Sequence, residues 1–521
     1  MKTWAFVLCV IGVLLGLCSS ILSGPQESRN SYLERRKAFL AAETKQIVGA
    51  GIALNDKEKK LNEILMSAKE KEVNSGFSTT FAPTVNFLIG RYLVEQSAVF
   101  NIIKQMPKGG ILHIHEISIA DPKWVISNIT YLPHLYYCVR TDFFSSLHFK
   151  FSENPPGTPP SDCRTGWISV AQSRTEMGAE SFDALLYTNF TMSTPHPDEV
   201  YPNTTMSWLR FQGALTALTD LYFNTVSFKA MVKQGLGRLV QDNVQYIEIR
   251  TIMNGLQELN GTVHPPEYTF QQFKEAIEEF KGEFPSDFSG AKIIFTSIRV
   301  PENKTLILEQ VKMAMKLLKE YPECFAGYDL VAQEDLGGPL VDYIDQLLYP
   351  SQQGVNLPFF FHAGETNWEG TSVDRNLIDA ILLNTSRIGH GYAINKHPGV
   401  MEAVKTKGIA IELNPISNQV LHLVHDLRNH IGAGLIADNY PVVVSSDDPA
   451  AWGALPLSHD YYMAFMGLAG ETTGLTLLKQ LAMNTIKYSA MTTDEKAAAT
   501  KLWQAKWDTF VGDALKQYGY P

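Results

Sequence analysis

Cysteine is scarce in this 521-residue chain: there are five, and no two are spaced Cys-x-x-Cys, which argues against a thiolate zinc site. Clustered positive charge is missing too. No basic run exceeds Arg35-Arg36-Lys37 and the formal net charge is −10, so a nucleic-acid partner is not expected. Long apolar stretches are confined to residues 4–17, and nothing later is long and apolar enough to cross a membrane. No glycine-rich phosphate fingerprint follows the first predicted strand, which speaks against a dinucleotide-binding open sheet.

What is present begins at the N-terminus. Lys2, the apolar run 4–17, the small residues Cys18, Ser19 and Ser20, and then Gly24-Pro25 have the order of a secretory signal peptide, placed at residues 1–23. The alternative, a signal-anchor helix, would have to continue through Ser19-Ser20. Export predicts a secreted, extracellular mature chain with no membrane span. Loss of Lys2 from the 44 basic residues leaves 43 against 54 acidic ones, a net charge of −11. Cys9 and Cys18 leave with the signal. In an oxidising compartment a Cys138–Cys163 bridge is expected across a Pro/Gly/Ser-rich loop, with Cys324 a buried free thiol. Sequons at Asn128, Asn189, Asn203, Asn260, Asn303 and Asn384 fit the same route; Asn384, directly before a predicted strand, is the least suited to carry sugar.

Residues 24–105 are rich in Glu, Lys, Leu and Ala, with apolar positions at helical spacing through Leu54, Leu61 and Leu65, and are read as a helical extension. The rhythm then changes. Short apolar, β-branched runs recur at 110–117, 244–252, 291–300, 325–334, 357–365, 387–392, 409–415 and 441–448, most followed by helical pattern. Continuous apolar strands separated by helices imply a parallel sheet covered on both faces. Eight such units predict an α/β fold, a closed (β/α)8 TIM-type barrel over residues 106–515, with a doubly wound sheet as the alternative. Residues 128–205 break the rhythm. They hold three sequons, the cysteine pair and Asn154-Pro-Pro-Gly-Thr-Pro-Pro, and are read as a disulfide-stapled insertion after the first strand.

Ionisable residues close these runs. His113-Ile-His115 ends the first, and residues two apart on a strand face the same way. His362 and Glu365 end Phe-Phe-Phe-His-Ala-Gly-Glu, His390 ends Arg-Ile-Gly-His, and Asp447 and Asp448 end Val-Val-Val-Ser-Ser-Asp-Asp. Each alone would pass for a satisfied polar residue at a strand end. In a parallel barrel all eight C-terminal ends meet at one mouth, so these residues converge. His113, His115, His362 and Asp447 form a set of nitrogen and oxygen donors suited to one zinc ion per subunit. Zinc lowers the pKa of a bound water towards neutrality. Glu365 and His390 are left as proton carriers, Glu365 to donate and His390 to orient or deprotonate that water. The constellation predicts metal-assisted hydrolysis.

The motifs Met106-Pro-Lys-Gly-Gly-Ile-Leu-His-Ile-His, His362-Ala-Gly-Glu-Thr, Arg387-Ile-Gly-His-Gly-Tyr, Asn414-Pro-Ile-Ser-Asn and Ser445-Ser-Asp-Asp-Pro resemble the adenosine deaminase superfamily. The signal, the helical extension, the cysteine-paired insertion and Trp208-Leu-Arg-Phe are similar to its secreted branch, the adenosine deaminase-related growth factors. The resemblance implies hydrolytic deamination of adenosine or 2′-deoxyadenosine, with zinc on His113, His115, His362 and Asp447. It places the proton donor to the purine at Glu365, the base for the attacking water at His390 and a purine-holding carboxylate at Asp448. It also implies a homodimer through residues 24–105, and leaves room for a cell-surface receptor or glycan as partner. Four substrate-contact positions depart from the family pattern. Ala332 stands for glycine, Ile298 for histidine, Gln212 (after Trp208) for glutamate and Glu116 for aspartate. They motivate an alternative: a growth-factor-like binding protein with weakened deamination or altered nucleoside preference.

Overall fold

A computed structural model describes residues 28–299 and 303–519; the expected signal peptide at 1–23 lies outside the described residues. Strands β1 (Gly109–His115), β5 (Val244–Thr251), β6 (Gly290–Ile298) and β7 (Phe325–Val331) pair in parallel in that order. So do β8 (His362–Ala363), β9 (Arg387–His390), β10 (Ala410–Leu413) and β11 (Val442–Val444). Two parallel bridges, Tyr328 to Phe359 and Ile114 to Asp447, join the two sheets at both edges. The result is a closed eight-stranded parallel barrel. Each run predicted from the sequence contributes one strand.

The closing seam is made at functional positions: Asp447 N–H donates to the His113 carbonyl and His115 N–H to the Asp447 carbonyl. Apolar strand residues are almost wholly buried, as a barrel covered on both faces requires. The charged residues inside the strands, Glu248, Arg250, Asp329, Arg387 and Glu412, are just as buried. They are tolerated because they neutralise one another.

Upstream of the barrel lie helices α1 (Arg29–Thr44), α2 (Asp56–Gly76), α3 (Phe87–Glu95) and α4 (Ala98–Gln105). Asn55 and Glu58 form a reciprocal capping box that starts α2. Its buried stripe, Leu61, Leu65 and Lys69, recurs every four residues and packs on the two C-terminal helices, Leu475–Lys487 and Thr493–Gln517. Lys69 is enclosed but satisfied, its ammonium donating to the carbonyls of Gly470 and Thr473. Helix α1 buries no residue at all.

Between β1 and β5 lies a lobe built on a three-stranded antiparallel sheet, β2 (Leu135–Val139), β3 (Leu147–Phe151) and β4 (Ile168–Ser169). Cys138 and Cys163 are bridged within it, and Cys324 is a buried free thiol pushed up to about 12 by burial. Helix α5 (Thr204–Tyr222) runs from the lobe back to the barrel mouth and packs on β3. The bridge closes a loop with a sequence separation of 25, which in the chain-entropy picture stabilises the lobe by about 3 kcal/mol. Cys138→Ser with Cys163→Ser is expected to speed proteolysis and amide exchange within the lobe while leaving the barrel strands protected. Equal loss of protection across both would contradict a locally acting staple.

Two of the sequons differ in exposure. Asn384 is exposed, its backbone turned outward at φ 54°, whereas Asn189 is buried on a helix with its amide donating to the Leu185 carbonyl.

Candidate active site

Every sequence-predicted site residue lines or borders one cavity of about 500 Å3 at the C-terminal mouth of the barrel. His113 is the one not on its wall; it lies directly beneath, its ring 4.5 Å from that of His362. One donor atom from each of His113, His115, His362 and Asp447 lies within 4.8 Å of the others. Asp447 Oδ1 is 3.3 Å from His113 Nε2 and 3.2 Å from His115 Nε2.

The donor set fits a metal for a reason beyond proximity. His113 Nδ1–H donates to Glu412 at 2.7 Å, which fixes the tautomer and turns Nε2 inward, where it is buried with no hydrogen-bond partner. His362 Nδ1 is likewise committed to Asp329 at 2.6 Å. Arg250 ties the two carboxylates together, donating to Asp329 at 2.9 Å and to Glu412 at 2.7 Å. Arg387 holds the other Glu412 oxygen and Glu248, both at 2.6 Å. Burial drives the His362 pKa down to about 3, so its imidazole is neutral and available as a ligand.

Two further buried polar atoms face the cavity without partners: Glu365 Oε1 and Asp448 Oδ1. Burial pushes both carboxyls well above the usual carboxylate range, and the nearby Asp447 charge pushes them further. Glu365 is held by its backbone: the Glu334 carboxylate accepts from the N–H groups of Gly364 and Glu365, and Gly364 makes the turn at φ 78°. His390 presents its ring 4.9 Å from that of His113. His390 and Asp447 both sit at positive φ, 59° and 60°, a strained conformation often found at functional sites.

The four departing positions occupy the cavity's outer wall. Glu116 is buried, accepts from Ile252 N–H at 3.1 Å, and is pushed up to about 7 by burial. Gln212 is exposed on α5 beside Trp208, and Ile298 offers a half-exposed apolar side chain. Ala332 sits at φ 96°, a conformation that suits glycine and strains any residue with a Cβ. Ala332→Gly is therefore expected to stabilise the fold by about 1 kcal/mol in a denaturant titration. Unchanged or lower stability would show that the strain is already relieved.

At the rim the lobe is tied down by charge. His148 on β3 meets Asp220 of α5 at 2.8 Å and Asp162 at 3.2 Å, while Arg140 pairs with Asp162 at 2.8 Å and lies 3.5 Å from Asp142. The hydrogen bond to Asp220 raises the His148 pKa, against the opposing effect of burial. A raised folded-state pKa contributes stability that is fully present below the unfolded value near 6.5 and lost as pH rises through the folded one. Lobe protection in hydrogen exchange should fall as pH climbs past neutrality, and His148→Gln should flatten that fall. Identical profiles would rule out this histidine.

Sequence reasoning did not single out Glu412, Asp329, Arg250 or Glu334. A signal existed for two of them: Arg250 interrupts Val-Gln-Tyr-Ile-Glu-Ile-Arg and Glu412 interrupts Ile-Ala-Ile-Glu-Leu, where an apolar strand has no other reason to carry charge.

Comparison with known proteins agrees with this geometry. The family described as "Adenosine deaminase" matches residues 188–504, and "Adenosine/AMP deaminase N-terminal" matches residues 5–103. Adenosine deaminase 2 of Sus scrofa is 42% identical over 506 residues, covering 97% of this chain and 98% of the relative. Adenosine deaminase 2 of Homo sapiens is 41% identical over 482 residues, covering 92% and 93%. Among solved structures, arabidopsis ADAL complexed with GMP superposes with a TM-score of 0.55 at 15% identity, covering 78% of this chain and 98% of that one, a likeness of fold.

Proposed function

The chain belongs to the adenosine deaminase family, and from that premise we propose that it is a secreted, zinc-dependent enzyme that hydrolyses adenosine or 2′-deoxyadenosine to the inosine product and ammonia. The observation that carries this reading is a set of three orphaned buried polar atoms at one cavity, Glu365 Oε1 and Asp448 Oδ1 from residues of its wall and His113 Nε2 from a ring packed against that of His362 in the wall. Buried polar atoms without partners are costly, and three directed at one space are explained by a ligand that supplies the partners.

His113, His115, His362 and Asp447 would hold the metal. Bound there, zinc supplies a water acidified for attack on the purine C6. The remaining work falls to the chain's own groups. Glu365, kept protonated by burial, gives its proton to N1 as C6 is attacked. Asp448, also kept protonated, donates to an acceptor of the five-membered ring. His390 is the second proton-carrying group beside the attacked carbon.

The mouth supports a nucleoside over a nucleotide. Asp142 and Asp220 line it, and Arg140, the one arginine among the described lining residues, is already paired with Asp162 and Asp142. Among the described residues that line the mouth a phosphate would meet carboxylates and no unpaired cation. AMP is expected to show a kcat/KM at least about 100-fold below that of adenosine, since an unpaired like charge costs several kcal/mol.

Export and a homodimer complete the proposal. Asn128, Asn203, Asn260, Asn303 and Asn384 are exposed where sugar would attach. Helix α1 exposes the apolar side chains Tyr32, Leu33, Phe39 and Leu40, which supports residues 24–105 as the surface that meets a second copy; residues 106–515 would then be the catalytic barrel.

The test is a panel of adenosine, 2′-deoxyadenosine, other adenine derivatives and guanosine, followed by ammonia release from zinc-replete secreted protein. Turnover of adenosine is expected. No turnover of any member with one zinc per chain would overturn the enzyme reading and favour the growth-factor-like alternative, which the departures at Glu116, Gln212, Ile298 and Ala332 motivate.

A further inference from the structure

Behind His390, on the side away from the cavity, lies a chain of buried polar groups that the proposed reaction has not used. Asn418 Nδ2 is 3.0 Å from His390 Nδ1. Asn418 Oδ1 is 2.9 Å from His430 Nε2. His430 Nδ1 is 2.9 Å from the backbone N of Gly432. All three side chains are essentially inaccessible to solvent, and Asn414 Nδ2 lies 3.5 Å from the same His390 nitrogen.

The direction of every hydrogen bond in this chain follows from its far end. A backbone N–H is a donor and nothing else, so Gly432 obliges His430 Nδ1 to accept. Burial lowers the His430 pKa to about 3, so the ring is neutral and its single proton sits on Nε2. That N–H donates to Asn418 Oδ1, which turns the Asn418 amide N–H2 towards His390. His390 Nδ1 must then accept, and the proton of the neutral ring must sit on Nε2, the nitrogen on the cavity side, 3.9 Å from Asp447 Oδ2. Glu365 Oε1, 3.5 Å from His390 Nδ1, is too distant to compete with the Asn418 donor at 3.0 Å.

We propose that the Gly432–His430–Asn418 chain holds the His390 ring with Nδ1 accepting from Asn418 and its N–H at Nε2, so that His390 meets the attacking water as a hydrogen-bond donor in a fixed orientation. Asn418 and His430 are positioning residues that act through His390. The inference rests on the deaminase reading for what the water attacks, but the tautomer itself is a property of the protein alone.

The experiment is 15N NMR of the zinc-loaded full-length protein labelled at histidine, with the His390 signals identified by their disappearance in His390→Gln. The expected spectrum shows Nδ1 as the bare ring nitrogen of His390 and of His430. Asn418→Asp substitutes an acceptor for the amide donor at nearly constant shape. It should move the bare nitrogen of His390 from Nδ1 to Nε2 and lower kcat for adenosine about 10- to 100-fold, with KM within about threefold and one zinc per chain retained. A proton on Nδ1 of His390 in the unmodified protein would overturn the proposal, as would an Asn418→Asp enzyme with unchanged kcat. The spectrum of the unmodified protein decides the matter even if Asn418→Asp fails to fold. Absence of adenosine turnover with the expected spectrum would sink the deaminase reading and leave the tautomer assignment standing.

Discussion

Glu365→Gln is expected to lower kcat for adenosine by about 10³- to 10⁴-fold with little change in KM, zinc content or folding. The carboxyl is enclosed, its Oε1 has no partner, and burial, reinforced by the Asp447 charge, raises its pKa well above the usual carboxylate range. Glutamine fills the same space and can still point an N–H2 at the purine. It cannot surrender a proton, so ground-state binding survives and the transition state loses its acid. The backbone anchor is untouched, because Glu334 accepts from the N–H groups of Gly364 and Glu365 and not from the side chain. Steady-state ammonia release alongside metal analysis checks this. Full activity in the variant would remove Glu365 from the proton-donor role.

Glu412→Ala is expected to be the most damaging change away from the cavity. Glu412 accepts from His113, Arg250 and Arg387 at once, all enclosed in the barrel. Its removal takes one of two carboxylate partners from each guanidinium, leaving Asp329 to Arg250 and Glu248 to Arg387, and frees the His113 ring to rotate. Breaking a buried charge network in this way costs about 3–5 kcal/mol. Loss of the carboxylate that orients a metal-binding imidazole weakens metal affinity by about 10- to 100-fold. A denaturant titration reads the first effect and zinc competition with a chelator the second. Glu412→Gln keeps the shape and one acceptor, so it should recover part of the stability and less of the affinity. Wild-type zinc affinity in both variants would show that His113 does not need its carboxylate.

How much of this was legible in the sequence depended on whether the signal was local. The barrel was legible because each strand is a short apolar run that ends abruptly in an ionisable residue, and parallel closure then gathers those ends without any knowledge of angles. The disulfide was legible from the Pro/Gly/Ser-rich composition of the loop between Cys138 and Cys163. The carboxylate–arginine layer beneath the metal ligands left only a faint mark, single charges inside apolar strands. Of the His390–Asn418–His430 chain, His390 and Asn418 fall in the motifs Arg387-Ile-Gly-His-Gly-Tyr and Asn414-Pro-Ile-Ser-Asn, but nothing in the sequence links them to His430. Asn418 lies on a six-residue helix, Pro415–Val420, and His430 just after a single 3-10 turn, so neither follows a period, and only the fold brings them together. Exposure of a sequon is likewise set by the fold: proximity to a strand does not say which way Asn384 turns.

The seam that closes the barrel sets an order of events in synthesis. Leu112 and Ser445, hydrogen-bonded across it, are separated by 333 positions, and His113 meets Asp447 one step further along. A ribosome-bound chain that has emitted β1 to β10 carries three of the four ligands but neither the fourth nor the strand that shuts the sheet. Contacts this distant in sequence form late, because loop closure must be met before they return anything. Capture of a metal by the four proposed donors therefore waits until the chain has emerged as far as Asp447. Fragments cut short of that residue should emerge without zinc however well their early strands pair.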